Sequence, residues 1–137
     1  MEKVFKVFAV FLLCFTVVGC GSGGKPSGLD SDVYDLGNEA VSIVNSCLKS
    51  EITADDAYDK IEKLNSKLEK YDNNGHKRGT TDEDWALNDD VSSSVSLLGH
   101  SLYLMKITNS EDTTELENDL KYLEFALGKI SKEEVPQ

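Results

Sequence analysis

Five groups of residues in this chain have types and spacings that could do chemistry. Gly99-His100-Ser101 begins like the Gly-x-Ser-x-Gly nucleophile elbow, which uses its second glycine to make room for a sharp strand-to-helix turn. Tyr103 stands where that glycine belongs, and the surrounding apolar spacing is helical, so Ser101 is expected inside a helix rather than at a turn apex. His76 and His100 do not pair at ligand spacing, and no metal site is expected from them. Asp72-Asn73-Asn74-Gly75 matches the middle of a calcium loop. That frame, however, puts Lys70 first and Thr81 last, where an acid and a bidentate glutamate belong, so a turn is the expected role. Asp82, Glu83, Asp84, Asp89 and Asp90 form an acidic patch around Trp85, and negative charge is welcome at a helix start. Trp85 itself could cap the core or offer an exposed contact.

The fifth group carries most functional content. Lys60, Lys63, Lys67 and Lys70 follow 3–4 spacing and make a basic stripe on an acidic chain. One use is a docking edge for an acidic partner. The plainer use is pairing with Asp56 and Asp59 on the same helix and with Glu115, Glu117 and Asp119 on a neighbour. There is no glycine-rich phosphate loop, no Cys-x-x-Cys and no His-Glu-x-x-His, so no cofactor and no enzyme activity are expected.

These residues depend on four amphipathic segments. The first, about 30–49, aligns Val33, Leu36, Ala40, Ile43, Val44, Cys47 and Leu48; Cys47 is expected to act as a small buried hydrophobe. The second, about 54–72, aligns Ala57, Ile61, Leu64, Leu68 and Tyr71. The third, about 82–108, aligns Leu87, Val91, Val95, Leu98, Leu102 and Met105. Ser92-Ser93-Ser94, Ser96 and Gly99 either interrupt that segment or let a neighbouring helix approach, and close approach is the preferred expectation. The fourth, about 114–131, aligns Leu116, Leu120, Leu123, Leu127 and Ile130. Thr53, Thr81 and Thr114 are expected N-caps, with Thr114 and Glu117 forming a capping box. Short connections favour antiparallel neighbours. The expected fold is an all-α up-down four-helix bundle over 30–131 with a tail at 132–137. The alternative is a three-helix bundle with an appended N-terminal helix.

The N-terminus reads as an address. Lys3 and Lys6 precede an apolar run from Val7 to Val18, which is shorter than the roughly 20 residues of a comfortable membrane span. Val17-Val18-Gly19-Cys20 then resembles the lipobox of bacterial lipoproteins. The resemblance covers about the first 20 residues and implies cleavage between Gly19 and Cys20, with diacylglycerol on the Cys20 thiol. Cys14, after bulky Leu13, is a poor lipidation site. Only Cys47 would remain a free thiol in the mature chain, so no intramolecular disulfide is expected. Residues 20–29 are expected to tether the body, since Gly21 to Gly28 reaches roughly 15 Å as a flexible chain.

From residue 20 onward the chain holds 12 Lys and Arg against 24 Asp and Glu, a net charge of −12. Such a body repels nucleic acid and anionic lipid headgroups. The combined expectation is a protein anchored through Cys20 at the outer face of the cell membrane. In a two-membrane host, Gly21 in place of the retention aspartate directs it to the outer membrane. It would act by protein–protein contact in an immunity, exclusion or accessory role. The alternative is a small-ligand or metal-ion binder using the Asp82–Asp90 patch.

Overall fold

A computed structural model describes residues 24–73 and 81–137; the lipobox, Cys20, His76 and the Asn74-Gly75 turn lie outside the described residues. Four helices form: α1 (Ser31–Leu48), α2 (Ala54–Asn73), α3 (Asp82–Thr108) and α4 (Thr114–Ala126), followed by a short 3-10 turn at Lys132–Glu134. No strand occurs among the described residues, and none of their helices is long and apolar enough to cross a membrane. The all-α four-helix bundle is therefore the fold.

Helix directions follow from pairs of neighbours. Asp55 meets Lys106, Tyr58 meets Tyr103, and Glu62 lies beside Gly99, so α2 and α3 run antiparallel. Asp30 meets Asn88 and Gly37 lies against Val91, so α1 and α3 run parallel. Both α1 and α3 touch all the other helices, while α2 and α4 sit on opposite sides. α1 is no loose arm: Val33, Ala40 and Val44 are fully buried in the common core with Ile61, Val91, Leu98, Leu102 and Leu123.

The apolar spacing explains why these segments are helices, and their ends have identifiable causes. Thr53 and Thr81 each accept a hydrogen bond from the backbone N–H three residues on, at 3.1 Å, which satisfies an orphan donor in the first turn. At α4 the cap differs from the expected Thr114. Thr113 is the N-cap, Asp112 Oδ1 accepts from Thr114 N at 3.0 Å, and the Thr113 hydroxyl donates to Glu117 at 2.6 Å. α4 also ends at Ala126, five residues before the expected 131, because Gly128 turns the chain through the left-handed region at φ +70°. Ile130 thus leaves the helical seam and is half-buried.

α3 runs unbroken past its serines. A Cβ on Gly99 would lie 3.0 Å from Glu62 Oε1 and 3.4 Å from Ile61 Cγ2, so the missing side chain is what lets α2 come close. Small residues serve approach here.

Candidate functional site

α2 places its two sides by period. Ala57, Ile61, Leu64 and Leu68 are buried against the bundle, and Lys60, Lys63, Lys67 and Lys70 emerge along one edge of that seam, all exposed. That edge faces α1 across an open groove of about 680 Å³, whose walls include Glu39 and Ile43 of α1, Leu64 and the four lysines. The aliphatic lysine stems add to its apolar lining while the ammonium groups stay in water.

The plainer pairing of these lysines is not formed among the described residues. None of the four makes an ion pair with another described residue, including Asp56 and Asp59; the ion pair among described residues joins Lys106 to Asp55. Glu115, Glu117 and Asp119 cannot serve, because α4 lies on the far side of the bundle from α2. Asp119 instead accepts a hydrogen bond from the Ser101 hydroxyl at 2.5 Å. The groove therefore presents four lysines against two carboxylates, Glu39 on its α1 wall and Glu62 on α2, a local excess of positive charge on a strongly acidic body.

The other candidates are dispersed. Ser101 is 3% exposed within continuous α3 and His100 is exposed, so the two do not converge on a reacting centre. Trp85 is 55% exposed, a surface residue rather than a core cap. The acids around it do not gather: among the described residues no three His, Cys, Asp or Glu side chains are arranged to hold a metal ion. Cys47 is half-buried against the core rather than fully buried as expected, and burial pushes its thiol above the usual range, which disfavours the nucleophilic thiolate.

Two features of α3 are invisible to the simple seam. Asn88 is fully buried and ties down the chain ahead of α1. It donates to Gly28 O at 3.0 Å and Asp84 O at 2.8 Å, and accepts from Asp30 N at 2.9 Å. With Leu29 buried and Pro26 close to Gly128, the last residues of the expected tether belong to the folded body. The signal for Asn88 was available, since it stands in step with Val91, Val95, Leu98 and Leu102 at 3–4 spacing. The second feature is an outward apolar set, with Leu97, Tyr103 and Ile107 each more than 40% exposed. Leu97 and Ile107, with Leu104 between them, repeat the same spacing on the opposite side of the helix.

Comparison with known proteins finds no matching family model, no similar curated protein and no similar solved structure. The functional reading rests on the residues and their geometry.

Proposed function

We propose that this protein is a lipid-anchored, extracytoplasmic lipoprotein that acts through protein–protein contact, with the α1–α2 groove as its docking edge. The anchor reading is supported by the order of basic residues, apolar run and Val17-Val18-Gly19-Cys20. The docking reading is carried by one observation: Lys60, Lys63, Lys67 and Lys70 line a groove without ion-pair partners among the described residues, on a body of net charge −12. Charges placed in this way raise the rate and selectivity of encounter with an oppositely charged surface. Immunity, exclusion and accessory roles are all contact functions of this kind.

The test is made on cells. Wild-type protein is expected to incorporate labelled fatty acid, and Cys20→Ser to lose the label and accumulate as a longer precursor. Persistent labelling of Cys20→Ser removes the anchor. Crosslinking on intact cells is expected to join the body to a discrete partner protein; a body that crosslinks to none under conditions that trap known neighbours removes the contact function.

A further inference from the structure

We propose that the α1–α2 groove seats an acidic amphipathic helix of another protein, its carboxylates aligned with Lys60, Lys63, Lys67 and Lys70. This rests on the contact function above and specifies the partner's chemistry. The four lysines advance by three, four and three residues, which carries the row about 15 Å along α2. A helix bearing Asp or Glu at the same 3–4 spacing repeats that advance, so its acids meet the ammonium groups in register. A row of isolated carboxylates in a flexible chain has no such match. Helix-in-groove recognition also needs an apolar stripe beside the charges, and the lysine stems with Ile43 provide its counterpart.

Glu39 on the opposite wall sets the orientation. The acidic flank of the partner must lie on the α2 side, with a neutral or basic flank toward α1. Glu62 and Glu69 are also exposed on α2; seven residues apart, they share one side of the helix, so the positive row is flanked by them on the α3 side and by Glu39 on the α1 side. A narrow row bounded by acids suits a helix edge. It does not suit the broad plane of an anionic membrane, which the net charge of −12 also repels.

The experiment uses the full lipidated chain in phosphatidylcholine nanodiscs and a fluorescent peptide of roughly four helical turns. The peptide has glutamates at 3–4 spacing on one flank and leucines on the adjacent face. Saturable binding that weakens with added salt is expected. Lys63→Glu combined with Lys67→Glu should weaken it about tenfold with an unchanged melting temperature, since both side chains are exposed. The same peptide with lysines in place of glutamates should bind the double variant better than it binds the wild type. Equal binding to wild type and double variant, or equal binding of a scrambled peptide of the same composition, overturns the proposal. So does tighter association with phosphatidylglycerol vesicles than with the peptide, which would assign the lysines to lipid. A cellular partner whose crosslinks map to Tyr103 and Ile107 instead would retain the contact function and remove only this groove.

Discussion

The two ends of α3 hold polar contacts of opposite character. Near its start Asn88 is sealed from solvent and makes three hydrogen bonds that fasten residues 28–30 to the bundle. In its last turn Lys106 pairs with Asp55 at 3.2 Å and lies 5.2 Å from the Tyr58 ring centroid, with its own side chain 40% exposed and that of Asp55 65% exposed. Both contacts look specific when only partners are compared. Solvent separates them: groups that water can reach lose little when a partner disappears, whereas buried groups bear the full cost of desolvation.

The largest expected effect comes from breaking the sealed end. Asn88→Leu fills the space but leaves Gly28 C=O and Asp30 N–H without the Asn88 partner, and should cost about 2–4 kcal/mol in urea denaturation. Proteolysis should then cut at residues 24–30 before the helices yield. A loss below about 1 kcal/mol would mean that water enters and that this end is not sealed after all.

Gly37 offers a second test of the same end without any polar group. Its missing side chain lets α1 approach α3 and the chain after α4: a Cβ there would lie 2.8 Å from Leu127 Cδ2 and 3.0 Å from Val91 Cγ1. Gly37→Val should cost about 1–3 kcal/mol by overpacking, despite the better helix propensity of valine. Ser101→Ala lies between the extremes. Its hydroxyl is buried but its acceptor, Asp119, is only half-buried, so about 0.5–1.5 kcal/mol is expected. The comparison sharpens if the three losses fall in that order.

The same contrast explains what was readable from residue order. α2 is polar on one side and apolar on the other, so its limits, its cap at Thr53 and the burial of Ala57, Ile61, Leu64 and Leu68 follow directly from period, while the expected side-chain position of Tyr71 lies outside the described residues. α3 is apolar on both sides, and a 3–4 pattern can be drawn through it twice. Leu87 keeps step with the seam yet is only half-buried, while Asn88 occupies the sealed position beside it. Polar residues at seam positions discourage such an assignment unless their partners are known, and two of the three partners of Asn88 are main-chain atoms some sixty residues away. The lysine row was legible as a row. Its lack of partners was not, because that depends on which helix stands across from α2, and residue order does not decide it. Glu115, Glu117 and Asp119 matched in charge and stood on the wrong side of the bundle.

The smallest effect should come from the exposed end of α3. Lys106→Ala removes the ion pair and the ring contact, yet its melting temperature should match that of the wild type within measurement error, because water replaces both interactions. The pair remains detectable by titration. The hydrogen bond and charge of Asp55 raise the Lys106 ammonium above the usual lysine range, with Asp59 and Tyr58 adding to the shift. A raised ammonium contributes stability below the ordinary lysine pKa and loses it as pH climbs through the folded value, so the window lies above about pH 10.4. Between pH 6 and 9, typical laboratory conditions, Lys106→Ala should therefore show no pH-dependent difference from the wild type. An NMR titration of Lys106 should show the upward shift, and Asp55→Asn should abolish most of it without moving the denaturation midpoint. If Lys106→Ala instead destabilised the protein as much as Asn88→Leu, solvent exposure could not be what distinguishes the two ends of α3. The exposed lysines of α2 would then have to be reconsidered as structural rather than available to a partner.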